Sequence, residues 1–313
     1  MAIASGTNVV IGFKEETTYG TSAGSSTDYD IIPFKSASLS LAKTNHESAV
    51  ITGNREMQDL VMGAHSVTGD ISFDLAHQPA YLKMMQAVLG EDADGADTAY
   101  GVGSTRQSFT ILQDYSTDLA GGNDVHIFTG CEFNTFSMTI PADGLIECSV
   151  GIVGATMAPA ADTLDSNGLD DDGSEYIEAN DPYHSSNATI TGDFSAICTD
   201  LSLSVENGIE TTNIVGNTIP IQGGIGKCRV TGSLTAHFTS STLLQKFIDN
   251  TSSSLTISFG ATTGGMSFTM AKIIYTTGAV EVGGEGLLSV SMDFVAVANN
   301  AATSSLVIDT DLS

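Results

Sequence analysis

The sequence predicts a mainly β protein, built as two tandem antiparallel β-sandwich or barrel-segment domains, each with one short flanking α-helix. Three observations predict it. The chain is written twice: Leu39-Ser40-Leu41 and Val67-Thr68-Gly69-Asp70-Ile71-Ser72-Phe73-Asp74-Leu75 return as Leu201-Ser202-Leu203 and Val230-Thr231-Gly232-Ser233-Leu234-Thr235-Ala236-His237-Phe238. The copies lie 162 residues apart at the first block and 163 at the second, a spacing of domains and not of short solenoid repeats. Within each copy polar and apolar residues alternate with the period of a half-buried strand. Each copy then closes on a short apolar helix pattern directly after its Val-Thr-Gly strand.

Along the chain, residues 38–42, 67–75, 131–140 and 145–153 read as strands, being alternating or β-branched and aromatic runs bounded by Gly, Pro and Asp. Pro141-Ala142-Asp143-Gly144 links two of them as a turn, since Pro presets φ and Gly accepts a positive one. In the second copy 200–206, 228–238, 255–259, 266–275 and 286–297 read likewise. Pro79 to Gly90 carries Pro at a first helical turn and Gly at the close, the asymmetry of a helix. Its counterpart is Ser241 to Asn250. The simplest architecture is one helix leaning on a β-sandwich, twice over. The boundaries are an N-terminal arm at 1–32, a first domain at 33–158, an acidic linker at 159–186, a second domain at 187–300 and a C-terminal tail at 301–313.

Between the paired strands of each copy lies a longer irregular piece, His46 to Gly63 in the first and Ile209 to Gly226 in the second. The first carries Val50, Ile51, Leu60, Val61 and Met62, which are costly to leave in water, so packing on a partner or a neighbouring domain is favoured over a self-packed hairpin. Two like modules in one chain point towards ring or lattice building.

Composition limits the remaining possibilities. At 313 residues, 41% of them apolar, the chain holds two domains able to bury their own cores. No stretch approaches the roughly 20 apolar residues of a membrane span. Met1 to Asn8 lacks a basic region and a sustained apolar core, so synthesis and folding in a cytoplasm are expected. The formal net charge is −27. Eight acids and no Lys or Arg lie between Pro159 and Ser185, and Glu91, Asp92, Asp94 and Asp97 form a second acidic loop. Without those twelve, 25 acids still face 10 scattered bases, which disfavours nucleic-acid binding by phosphate neutralisation.

Cys131, Cys148, Cys198 and Cys228 stand alone, without metal spacing, and read as reduced, packed thiols; Cys131 and Cys148 fall on neighbouring strands. His46, His65, His77, His126, His184 and His237 share no metal spacing, and there is no Gly-x-Ser-x-Gly elbow or phosphate loop in a βαβ unit. No enzyme, cofactor or metal is therefore expected. The run Asp165 to Gly173 misses the spacing of a calcium loop and reads as a solvated linker.

A resemblance follows from the start of the chain. Gly12-Phe13-Lys14-Glu15-Glu16-Thr17-Thr18-Tyr19-Gly20-Thr21, then Pro33-Phe34, the long loop with Glu47-Ser48 and Gly53-Asn54-Arg55, and Val67-Thr68-Gly69 together resemble the tail tube (major tail) proteins of tailed phages. The resemblance implies β-sandwich domains with a flanking helix, six to a ring, their inner strands closing one barrel and long loops stacking the rings into a conduit for the genome. With two domains in the chain, it implies a trimer of pseudo-sixfold symmetry, the alternative being a hexamer with the second domain outside the barrel. The implied partners are further copies of the chain, other tail proteins at the tube ends and DNA as passing cargo, and the implied location is the virion tail.

A conduit must not bind what it conducts, because neutralising about 6–10 phosphates gives an affinity too high for sliding. A lining of acids, Ser and Thr avoids this, with repulsion reaching about 8 Å. The lumen-facing candidates are Thr68, Asp70, Ser72 and Asp74 in one copy and Thr231, Ser233, Thr235 and His237 in the other. Their alternate neighbours Ile71, Phe73, Leu75, Leu234 and Phe238 would fill the core. The inter-ring loop candidates are Val50, Ile51, Arg55, Met57, Leu60, Val61, Ile214, Val215 and Ile219. The competing reading is a capsid decoration protein or another β-sandwich binding module. The absence of Trp counts against a sugar binder.

Overall fold

The computed structural model describes residues 4–24, 29–51, 53, 55–57, 59–91, 99–115, 124–160, 181–192, 198–260, 265–281, 286–299 and 304–310. The acidic stretches at 92–98 and 161–180, with the calcium-like run, lie outside them.

Antiparallel strands dominate. The first half comprises β1 (Val10–Glu15), β2 (Asp30–Ile31), β3 (Ser36–Ala37), β4 (Ser40–Glu47), β5 (Leu60–Asp74), α1 (Pro79–Leu89), β6 (Ala99–Gly101), β7 (Phe109–Asp114), β8 (Val125–Pro141), β9 (Glu147–Gly154) and β10 (Thr156–Ala160). The second comprises β11 (Ala188–Gly192), β12 (Cys198–Glu206), β13 (Thr211–Thr212), β14 (Ile221–Gln222), β15 (Arg229–His237), α2 (Thr242–Ile248), β16 (Ser253–Phe259), β17 (Met266–Tyr275), β18 (Ala279–Glu281), β19 (Ser289–Ala296) and β20 (Val307–Asp309).

Local chemistry accounts for these elements. α1 begins on Pro79, whose missing N–H costs nothing in a first turn, and ends on Gly90 at φ 74°, whose N–H bonds the Ala87 carbonyl. β5 alternates cleanly: Val67, Ile71 and Phe73 are buried while Thr68, Asp70, Ser72 and Asp74 face outward. β8 serves two layers. Its first part pairs with β7 and β10 and its second with β9 and β12. The change of partners falls at Gly130, φ 64°, where a Cβ would approach that of Ala155 to 2.8 Å. Only glycine fits there. The buried Glu16 carboxylate receives the Gly130 N–H at 2.8 Å, the Ser108 and Thr110 hydroxyls and the Gly20 N–H, anchoring the start of the chain to this bend.

The inner sheet runs β4-β5-β9-β8-β12-β15-β19 without interruption. Beyond β19 it continues through β18 and the last residues of β17. The outer strands are β2-β1-β7-β8-β10 in the first half and β11-β16-β17-β20-β6 in the second. Two bulges match. β8 slips by one residue against β9 between Phe133 and Thr135, and β17–β18 slips by one against β19 between Tyr275 and Ala279.

One apolar cluster extends through both halves. Phe136 stacks on Phe268 at 6.3 Å between ring centroids and Tyr183 on Phe259 at 5.6 Å, so the halves share a core where separate ones were expected.

Four other expectations change. Residues 10–15, in the expected arm, form β1 and bury Ile11 and Phe13; residues 307–309, in the expected tail, form β20 and bury Ile308. The long piece after His46 is partly a hairpin, because β4 and β5 continue into it until Glu47 faces Leu60. The first repeat block also sits out of step with the ladder: Leu41 faces Val67, whereas Val205, not Leu203, faces Val230. A two-residue slip keeps every side chain on its own face, so alternation alone cannot reveal it.

Candidate functional site

The outward face of the inner sheet collects the expected polar residues and adds others. Ser36, Ser72, Ser149, Ser137, Ser204 and Thr231 stand opposite one another in successive strands, forming a hydroxyl row that crosses from the first half to the second. Beside it lies a row of Asp74, Glu147, Thr139, Ser202, Ser233 and Asp293. Thr68 and Asp70 are exposed on this face, and Ser72, Asp74, Thr231, Ser233, Thr235 and His237 are partly exposed. The sequence reading named only residues of β5 and β15. Ser137, Thr139, Glu147, Ser149, Ser202, Ser204 and Asp293 join them through cross-strand register, which no single strand displays.

The Lys35 ammonium lies at the margin of the acidic row, 2.6 Å from Glu147 and 3.0 Å from Asp74. Hydrogen bonds to Glu147 and then to Asp74 raise its pKa. The pair is solvent-exposed and holds position more than it stabilises.

The loop candidates divide into two structural situations. Val50, Ile51, Arg55, Met57, Leu60 and Val61 are all exposed on the β4–β5 arm, Ile51 almost completely at 95%. Ile214, Val215 and Ile219 are exposed at the tip of the β12–β15 loop. The base of that second loop is clamped to the first half. The Asn207 side chain donates to the Val88 carbonyl near the end of α1 at 2.5 Å, while the Asn207 and Ile209 N–H groups bond the Asn134 backbone and side chain. Gln222 donates to Glu132, Arg106 to the Gly223 carbonyl, and the His65 N–H to the Thr218 carbonyl.

Arg106 and Glu132 form a two-point pair at 2.9 and 2.7 Å, with Glu132 only 3% exposed. Their fork geometry and shared loop contacts make this a fixed clamp. Nothing local in the sequence marks it, because Arg106, Glu132 and Gly223 come from distant segments.

The thiols are free and shielded among the described residues. Burial pushes Cys131 and Cys148 far above the usual thiol range and Cys228 up to about 11. Thiols so shielded are poor nucleophiles and packing groups first. Among the described residues no cluster of three His, Cys, Asp or Glu side chains is placed to hold a metal, and no helix is long and apolar enough to cross a membrane.

One family model matches the chain over residues 6–296, and its description is phage tail tube protein. No curated protein matches the chain.

Proposed function

The chain belongs to the phage tail tube protein family, and from that premise we propose that three copies close into a ring in which each copy supplies two adjoining tube domains. The protein is a structural component of the virion tail that assembles with itself into a tube. One observation carries the trimer: the seam at which β8 of the first half pairs with β12 of the second.

The β8–β12 seam is what a junction between neighbouring ring positions requires, and here it lies inside one chain. The strands β4-β5-β9-β8 and β12-β15-β19-β17/β18 follow the same order, with the bulge in the same place. Read as equivalent domains, they leave β4 at one end and β17–β18 at the other. Those are the partners of the next seam. In the internal seam Ser204 faces Ser137 and Val205 faces Phe136. The corresponding pairs between copies are Ser40 with Ala279 and Leu41 with Gly278. Such pairing closes the barrel and removes both edges, which otherwise invite aggregation.

In this ring the hydroxyl and acidic rows line the lumen, with Thr68, Asp70, Ser72, Asp74, Thr231, Ser233, Thr235 and His237 among them. The lining offers a passing genome few cations to bind and several carboxylates to repel it. The exposed tips around Val50, Ile51, Arg55, Met57, Ile214, Val215 and Ile219 meet the adjacent ring. Native mass spectrometry combined with negative-stain imaging is expected to count three chains per six-lobed ring. Six chains per ring would overturn the stoichiometry.

A further inference from the structure

The clamp at the internal seam identifies a second contact between copies, and the inference rests on the ring proposed above. Asn207 is the residue that follows the internal β8–β12 ladder, and its side chain caps the Val88 carbonyl near the end of α1. At the free edge the same ladder position falls on Lys43, because Leu41 stands where Val205 stands and Lys43 comes two residues later.

The receiving end can be placed as well. α1 ends with the Gly90 N–H on the Ala87 carbonyl and the Glu91 N–H on that of Gln86; α2 ends with Asn250 on Phe247 and Thr251 on Lys246. The matching turns align Gly90 with Asn250, and therefore Val88 with Ile248. In the isolated chain Lys43 is exposed, Ile248 is 68% exposed and Asp249 is exposed beside it. By contrast Asn207 and Val88 are both buried.

We propose that Lys43 of one copy caps the C-terminal end of α2 in the neighbouring copy, donating to the Ile248 carbonyl with the Asp249 carboxylate beside it. The chemistry favours a cation here more than it favours Asn at the internal site. The end of a helix carries partial negative charge, and Asp249 adds a full one. The base of the arm then lies across the neighbour as the base of the β12–β15 loop lies across its own first half. Leu60, Val61 and Met62 of the arm approach Ile248 and the half-buried Ile274, which stands at the position of Glu132. An apolar patch and one cation thus replace the Arg106–Glu132 clamp.

Two substitutions of Lys43 on the full chain test the cap, with a cysteine pair reporting the seam separately. Ser40→Cys with Ala279→Cys should crosslink under mild oxidation into a closed three-chain product. Lys43→Glu should weaken ring formation at least tenfold by sedimentation while leaving the melting of the isolated chain unchanged. Lys43→Arg, which keeps a cationic donor for the Ile248 carbonyl, should retain ring formation. If the seam pair closes three chains but Lys43→Glu shifts ring dissociation less than twofold, or Lys43→Arg weakens the ring as much as Lys43→Glu does, the cap is wrong and the ring stands. Failure of the seam pair to give a three-chain product overturns the ring and the cap together.

Discussion

The two halves order their inner strands alike but satisfy them differently. The first inner-sheet strand of the second half, β12, is paired on both sides, with Leu201, Leu203 and Val205 each 1% exposed and its following loop clamped down. The first inner-sheet strand of the first half, β4, is paired among the described residues on one side only, by β5, and its arm extends into solvent. Similar strands thus reach different states because of what lies beside them. In the proposed ring, a single chain carries one completed seam, β8 with β12, and the two open margins of another.

Mutations should separate the margins from the seam, the largest effect first. Leu203→Ala removes a fully packed side chain and is expected to cost the isolated chain about 4 kcal/mol. Leu41→Ala should cost about 1 kcal/mol in the isolated chain, where the side chain is only half-buried, and more in assembled rings, where the proposed pairing covers the rest of it. Urea denaturation of both states checks this; equal losses for the two variants in the isolated chain would erase the contrast.

Next comes the clamp. Arg106→Ala leaves the Glu132 carboxylate buried without its cation and should destabilise the isolated chain by about 3 kcal/mol. The loop around Gly223 should then open to proteolysis. A variant that keeps both stability and protease resistance would show that the loop needs no clamp.

The smallest test compares the helix ends. Gly90 and Asn250 occupy matching left-handed positions, at φ 74° and 52°. Gly90→Ala should lower stability by about 1 kcal/mol, whereas Asn250→Gly should raise it by about 0.5 kcal/mol, because only glycine adopts this conformation without steric cost. Thermal melts with opposite signs are the expected outcome.

Some of this was legible in the sequence. The alternation of β5 and β15 was, since each residue's face follows from its neighbours. So was α1, whose Pro79 and Gly90 mark its ends chemically. The two-residue offset of β4 was not, because a shift of two preserves every face. The docked loop was not, because it depends on Arg106, Glu132, Asn134 and Asn207 meeting through tertiary contact. The polar face was half legible: single strands show alternation, but only register turns Ser72, Ser149, Ser137 and Ser204 into a row.

The pairing of β6 with β20 bears on how fast the subunit can mature. Tyr100 stands opposite Ile308, a contact between residues roughly 200 positions apart. Such a contact forms late, because a long loop must close before the pairing returns any free energy. Until then the outer edge of β17 at Ser267–Thr269 lacks the strand that covers it. A chain made in many copies at once therefore passes through a period of open edges, and its yield depends on whether β20 seats before another chain arrives.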